Sequence, residues 1–248
     1  MIVVAMIVGL LILLWSVAAG SAPVVVRFTE GVTRGFPVLR SPGGQILAHG
    51  ELIQVARGDR VESRLVFRFA DGSLYDETVV FSQKDVFTLL SYHIIQRGPA
   101  FPETLEASID RASGRYDVRY RADQDSPEEI VSGRFELAPD VYNGMLTMLL
   151  KNLAAGAGET VQIVAFTPQP RHVRMVLTPH GEDEVAIGQR TEMARRYRLQ
   201  PELGALASLL VADPAPMHCW VLGGPAPAFV RFQGPLYLLG PVWRIDLN

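Results

Sequence analysis

The chain of 248 residues has a single cysteine, Cys219, and lacks the short motifs that mark common catalytic sites. One cysteine excludes an intrachain disulfide and the paired-cysteine motifs of zinc and thioredoxin-type sites. The sequence also lacks a G-x-S-x-G nucleophile turn, a phosphate-binding G-x-x-x-x-G-K-[ST] loop and a dinucleotide-binding glycine fingerprint in its strand–helix context. The common hydrolase and nucleotide-binding classes are therefore disfavoured.

A strong excess of positive charge is also missing. The formal net charge is -3, which gives no long-range attraction to nucleic acid. The run "RYDVRYR" interleaves aromatic and basic residues, as single-stranded nucleic-acid binding requires. The same run is equally the alternation of a strand with one wet face. We expect no nucleic-acid partner.

Charged residues are absent from the first 26 positions, where "MIVVAMIVGLLILLW" is almost wholly apolar. The small residues of 18–22 follow, as a signal-peptidase site requires. We interpret 1–22 as a signal peptide or N-terminal membrane anchor and 23–248 as a single β-rich domain. No basic residue precedes the apolar run, and Arg27, Arg34 and Arg40 follow it, which the positive-inside rule counts against export. The expected location is nevertheless the periplasm or the extracytoplasmic side of a membrane.

Short alternating runs separated by turn residues fill the rest of the chain. "RVESRLVFRF" (60–69) and "LYDETVVF" (74–81) flank Asp71-Gly72, a strong hairpin signal. Further runs occur at 106–121, 160–166, 171–178 and 193–200. Connections this short suit antiparallel pairing, because parallel strands need longer crossovers.

Two amphipathic segments predict short helices at 139–153 and 201–211. The first has Asp140 near its start, Lys151 in its last turn and Gly156 beyond it, as helix ends commonly do. The predicted fold is mainly β with two short helices: a strongly curved antiparallel sheet, a half-barrel or open barrel, with helices covering its concave face.

The five histidines give little support to catalysis or metal binding. Alternation in "TLLSYHIIQ" puts Leu89, Ser91, His93 and Ile95 on one face, where a histidine is more often a packing residue than a catalyst. His180 lies in the acidic segment "TPHGEDE", interpreted as a hairpin tip, but no H-x-H or H-E-x-x-H spacing appears. We expect no metal, no cofactor and no catalytic residue.

The C-terminal block "HCWVLGGPAPAFVRFQGPLYLLGPVWRIDL" (218–247) is rich in aromatic residues and divided by three Gly-Pro pairs. Its aromatic side chains could line a cavity or seal a core. Together with "GPAFP" at 98–102, the block resembles a family of exported bacterial proteins with "WVLGG-APAFVR—GPLY—GP-WRI"-type endings, which are themselves uncharacterised. The resemblance covers most of 45–248 and implies export. The inferred architecture is, more loosely, similar to half-barrel envelope proteins such as the lipoprotein carriers.

Three functions remain open on these grounds. The favoured one is non-catalytic binding of a lipid or other hydrophobic small molecule by an exported cell-envelope protein. A membrane-anchored scaffold that binds an envelope protein through a sheet edge comes second, and an enzyme with a rim site near His93, Arg97, His218 or Asp213 third. The residues predicted to bind a ligand are His93, Arg97, Phe101, Tyr142, Met145, Leu149, Trp220 and Trp243.

Overall fold

The structure, a computed structural model, describes residues 23–123, 125–202, 216–237 and 240–247. The predicted signal or anchor at 1–22 lies outside these ranges. So does the predicted helix at 201–211 from residue 203 onward, while Pro201 is the last residue of a strand. Neither prediction is tested by the described residues.

The described residues form a mainly β structure, as predicted. The strands are β1 (Thr33–Gly35), β2 (Val38–Arg40), β3 (Ile46–Arg57), β4 (Arg60–Phe69), β5 (Leu74–Gln83), β6 (Phe87–Arg97), β7 (Thr104–Asp110), β8 (Arg115–Arg121), β9 (Glu129–Arg134), β10 (Glu159–Thr167), β11 (Gln169–Ile187), β12 (Arg190–Pro201), β13 (Met217–Leu222), β14 (Ala228–Gly234) and β15 (Trp243–Asp246).

These strands belong to one 15-stranded sheet in the order β10-β11-β12-β13-β14-β15-β2-β3-β4-β5-β6-β7-β8-β9, with β1 paired to β3 outside this path. The pairings between these strands are antiparallel, which confirms the prediction from the short connections. The Asp71-Gly72 hairpin is also confirmed: Gly72 has φ 86° between β4 and β5. Glycine occupies that left-handed region without steric cost.

The sheet curls on itself, because strands far apart in the sheet order touch across its interior. The ring of Tyr92, on β6, stacks on that of Phe166, on edge strand β10, with centroids 6.3 Å apart. The ring of Phe135, just after the other edge strand β9, lies edge-on to the ring of His172 on β11, with centroids 4.6 Å apart. The segment between β9 and β10 therefore spans the space between the two edge strands, which the curling of the sheet brings near each other.

Within that segment, the described residues contain one short helix, α1 (Leu146–Asn152). The predicted start at 139 is wrong, because 140–143 pair with β10 instead. The Asn143 side chain both donates to the Val164 carbonyl (2.8 Å) and accepts from its N–H (2.7 Å). Gly144 then has φ 68°, which interrupts helical geometry. Lys151 lies in the last turn, as predicted.

The alternation of β6 is broken by a bulge. The β5–β6 register shifts so that Val80 faces Ser91 while Phe81 faces Leu89. An extra residue moves the following side chains to the other face. Leu89 is therefore buried with Tyr92, and the prediction that it shares a face with His93 is wrong.

Candidate functional site

A cavity of about 990 Å³ lies inside the curled sheet. One wall comes from β3 to β7, the opposite wall from β10 to β14, and α1 contributes from between them. Most of the lining side chains are aliphatic or aromatic, among them Leu52, Leu65, Val79, Ile94, Met175 and Phe232. This volume is at the upper end of the range of about 300–1,000 Å³ that small-molecule sites span.

An extended N-terminal segment, residues 24–31, closes over α1 at one side of the cavity. Val24 is tied down by its N–H, which donates to the Tyr142 hydroxyl at 3.0 Å. The N–H groups of Arg27 and Phe28 both donate to Oδ1 of Asn152, each at 2.7 Å. Asn152 is buried and donates its own amide to the Met148 carbonyl. One side chain at the end of α1 therefore fixes the course of this segment.

A charged pair lies further along the same segment. Lys151 of α1 forms an ion pair with Glu30, and both side chains line the cavity. Glu30 also accepts a hydrogen bond from the Gln54 amide (2.9 Å), and its backbone is bonded in both directions by the side chain of Gln83. These two opposite charges neutralise each other, so this pair adds no net charge to the cavity wall.

The wall formed by β5 and β6 carries a second acidic side chain, Glu77, separate from the Glu30–Lys151 pair. Its Oε1 accepts a hydrogen bond of 2.7 Å from the Tyr92 hydroxyl. Burial raises the pKa of Glu77 above its ordinary value, and the hydroxyl groups of Tyr92 and Tyr75, which favour the ionised form, offset part of that rise. The wall thus holds a carboxyl group that gains a proton more readily than an exposed glutamate does.

Gln96 completes this polar patch. Tyr75 and Gln96 are directly opposite each other in the β5–β6 register, and Glu77 faces Ile94, the next inward residue. The Gln96 side chain is only 6% exposed, lines the cavity, and makes no hydrogen bond to any other described residue. We call Tyr75, Glu77, Tyr92 and Gln96 the Glu77 patch.

Gly144 and Phe166 support the patch from the opposite side. A Cβ atom at Gly144 would lie 3.4 Å from both the Glu77 carboxyl carbon and the Tyr92 ring. Phe166 stacks on the other part of that ring with nearly parallel planes. The loop before α1 and edge strand β10 therefore hold the two hydrogen-bonded side chains in place.

None of the residues predicted to bind a ligand lines this cavity. His93 lies 3.4 Å from the Glu106 carboxylate with its side chain two-fifths exposed, and Arg97 is exposed at the end of β6. Tyr142, Met145 and Leu149 are fully buried in the core behind α1. Whether any of them contacts a ligand stays a prediction.

The C-terminal aromatic residues serve both of the roles that the sequence left open. Phe101 and Trp243 pack with Phe69 and Tyr237 as a cluster of edge-on and tilted rings. Trp220 belongs to a smaller cluster, where its indole donates to Asp183 at 2.7 Å. By contrast, the side chains Phe229, Phe232 and Tyr237 do line the cavity.

The two histidines of the predicted rim site, His93 and His218, lie on separate strands. The ring of His218, on β13, packs against that of His180 with centroids 5.6 Å apart. His93 lies on β6 against Glu106. The predicted hairpin tip at His180 is wrong: β11 continues through it, with a register shift between Pro179 and Glu182. In the described ranges, no group of three or more His, Cys, Asp or Glu side chains could hold a metal ion. Asp213 lies outside those ranges.

Cys219 is buried and lines the cavity. Burial raises the pKa of its thiol well above its usual value. It is therefore a neutral apolar wall residue, since only the thiolate is a strong nucleophile.

Sequence reasoning missed the Glu77 patch, although the sequence contained a signal for it. In "LYDETVVF", Tyr75, Glu77 and Val79 share the face that the aliphatic residue predicts to be buried. A glutamate on an apolar face is rarely buried without a purpose or a partner. The signal was a charged residue, Glu77, at a position that the alternation predicts to be buried.

The fold and the cavity together define a mainly antiparallel β protein whose curled sheet encloses a largely apolar cavity. No family model matches the chain, and no curated protein matches it. The chain is similar in fold to a crystal structure described as a beta-barrel-like protein of domain of unknown function DUF1849 from Brucella abortus, with 9% identity and a TM-score of 0.47 over 92% of this chain and 98% of that one. No binding or catalytic property is carried over from it.

Within the described part of the chain, no helix is both long enough and apolar enough to cross a bilayer.

Proposed function

We propose that the protein binds a lipid or other hydrophobic small molecule, without chemical change, in the cavity of its curled sheet. The observation that carries the proposal is the cavity itself, about 990 Å³ in volume and lined mostly by apolar side chains. Densely packed interiors leave few voids larger than a water molecule. A space of this size with an apolar lining is the usual form of a small-molecule site.

Two further features support binding over catalysis. The histidines considered for a rim enzyme lie on separate strands, and neither His93 nor His218 lines the cavity. The cavity-lining thiol of Cys219 is kept neutral by burial. Among the described charged groups of the wall, Glu30 and Lys151 form an ion pair, Glu77 accepts a hydrogen bond, and Arg27 and Glu103 are exposed.

Export to the cell envelope remains part of the proposal. It depends on the uncharged apolar segment 1–22 and the small residues after it. An envelope location would bring the cavity close to membrane lipids, which are the most abundant hydrophobic ligands there.

The test is native mass spectrometry of the full chain, purified without detergent and followed by organic extraction. We expect a reproducible extra mass that extraction identifies as a hydrophobic molecule. Leu65→Trp would fill the cavity beside Glu77, since these two residues are paired between β4 and β5. The matched control is Ile53→Trp, on a solvent-exposed position of neighbouring β3.

We expect the extra mass to disappear in Leu65→Trp and to remain in Ile53→Trp. Added neutral hydrophobic probe should bind the wild-type chain and the control at least tenfold more tightly than Leu65→Trp. Equal binding by both variants would place the ligand elsewhere, and absence of any bound or added ligand would refute the proposal.

A scaffold role is the second candidate, and edge strand β9 is the observation that favours it. In the described sheet β9 pairs with β8 alone, and its Ile130 is 65% exposed. An exposed strand edge can pair with a strand of another protein. Ile130→Lys would abolish capture of an envelope partner while leaving the bound mass of the cavity unchanged.

A further inference from the structure

We propose that the Glu77 patch is the head-group site of this cavity and takes a protonated primary amine carried on an apolar chain. This inference rests on the proposed ligand-binding function and deepens it, because it names the polar end of the ligand. It is argued from the charge balance of the wall, the hydrogen-bonding groups left over and the apolar surface around them.

The charged side chains of the described cavity wall leave Glu77 without a cationic partner. The charged side chains that line the cavity are Arg27, Glu30, Glu77, Glu103 and Lys151. Arg27 and Glu103 are exposed, and Glu30 and Lys151 pair with each other. Glu77 is left with two tyrosine hydroxyls, and no described cation contributes to its pKa. An ionised carboxylate in an apolar wall is costly unless an opposite charge accompanies it. A ligand ammonium group would supply that charge.

The hydrogen-bonding groups of the patch also favour a cationic ligand. An ionised carboxylate accepts about four hydrogen bonds, and an ammonium group has three donors. The Tyr92 hydroxyl donates to Oε1 of Glu77, and no other hydrogen bond to this carboxyl is formed by the described residues, so acceptor positions remain unused. The buried amide of Gln96 offers a further oxygen that no described residue bonds. The patch therefore presents acceptors that a cationic donor group would satisfy.

The surroundings of the patch suit an alkyl chain rather than a second polar group. Glu77 is flanked in the sheet by Leu65 on β4 and Ile94 on β6, and both line the cavity. A carboxylate or phosphate head group would meet the like charge of Glu77, and Lys151 is already neutralised by Glu30. An anionic lipid is therefore the disfavoured alternative.

The experiment is a displacement titration on the full chain with the neutral fluorescent probe N-phenylnaphthylamine. Dodecylamine, dodecanol and dodecanoate, which share one alkyl chain, are each titrated against the bound probe below their aggregation concentrations. We expect the amine to displace the probe at about tenfold lower concentration than the alcohol, since charge-assisted hydrogen bonds are the stronger ones. Dodecanoate should be the weakest.

Glu77→Gln should remove the preference for the amine over dodecanol. Glu62→Gln is the matched control, because Glu62 is exposed on β4 and does not line the cavity. If Glu77→Gln fails to fold, Gln96→Leu provides the second test, with a partial loss of the amine preference expected.

The outcomes separate the two proposals. If all three compounds displace the probe equally, or dodecanoate does so best, the head-group inference is overturned while cavity binding stands. If a preference for the amine persists in Glu77→Gln, the head group lies elsewhere and the inference also fails. If neither the probe nor any dodecyl compound binds, by fluorescence or by calorimetry, both proposals are refuted together.

Discussion

The hydroxyl of Tyr92 lies 2.7 Å from Oε1 of Glu77, on adjacent strands of a wall that is otherwise mostly apolar. Tyr92 in turn stacks on Phe166 of edge strand β10. One side chain thus links the half-buried carboxyl of Glu77 to the far end of the curled sheet. This relationship makes Glu77 both a candidate ligand contact and a source of pH-dependent stability.

Glu77→Gln should alter how stability depends on pH. Burial raises the pKa of Glu77, so the native state holds this proton more tightly than the unfolded chain does. The proton's contribution is full below the ordinary pKa of 4.5 and is lost as pH rises through the raised value. Each unit of elevation corresponds to about 1.4 kcal/mol.

The measurement is urea unfolding of wild type and Glu77→Gln at several pH values from acid to neutral. We expect the free energy of unfolding of wild type to fall relative to that of the variant as pH rises. A difference between the two proteins that stays constant across this range would contradict the raised pKa.

Tyr92→Phe should raise the pKa of Glu77 further. The hydroxyl stabilises the ionised carboxylate, and its loss leaves burial less opposed. Removing the hydrogen bond should also cost about 1–3 kcal/mol of stability at pH values where Glu77 is ionised. Side-chain carboxyl NMR titration checks the pKa.

Tyr116→Phe is the matched control for that change. Tyr116 is half-buried on β8 and does not line the cavity. Its loss of a hydroxyl should leave the Glu77 titration unchanged, and equal shifts in both variants would show that the Tyr92 bond is not the cause.

Asn152→Ala should release the N-terminal segment from α1. Its carbonyl oxygen accepts from the N–H groups of Arg27 and Phe28, and the side chain is 1% exposed. Leaving such partners without a bond costs about 1–3 kcal/mol. Hydrogen exchange should show lost protection at the Arg27 and Phe28 amides.

Asn152→Asp keeps the accepting oxygen, but it loses the donation to Met148 and adds a negative charge at this buried position. We expect it to retain more protection at those two amides than the alanine variant does. If both variants exchange at wild-type rates, Asn152 does not hold the segment.

Gly144→Ala tests how closely the loop before α1 packs on the Glu77 patch. Gly144 has φ 68°, and an added Cβ would lie 3.3 Å from Val79 and 3.4 Å from the Glu77 carboxyl carbon. Gly188 is the matched control, because its φ is 60° with no atom within 4 Å of an added Cβ.

Both alanine variants should lose about 1–2 kcal/mol from the left-handed backbone. The additional loss in Gly144→Ala reports its packing against β5 and β6, and thermal unfolding measures both. Equal losses would show that the loop does not press on the patch.

The sequence predicted several local features correctly from short-range signals, although the turn expected at His180 is part of β11. The hairpin at Asp71-Gly72, the antiparallel pairing and Lys151 in the last helical turn all follow from turn chemistry, connection length and spacing. These features depend on residues that are neighbours in the chain.

The errors occurred where distant segments overrode local preference. The stretch before α1 has helical spacing, but the bonds of Asn143 to Val164 hold it against β10 instead. Leu89 changes face because of a bulge opposite Phe81, which no alternation of β6 alone could reveal. In both cases the conformation depends on hydrogen bonding to another strand.

By itself, then, the sequence determined a mainly antiparallel β protein without disulfides and without a recognised catalytic motif. Only the tertiary structure decided which side chains meet in the interior: it brought Tyr92 and Glu77 together and left His93 facing Glu106 outside the cavity. The physical reason is that strand order and curvature depend on contacts between residues far apart in the chain. A cavity formed by such contacts has no pattern within any single segment.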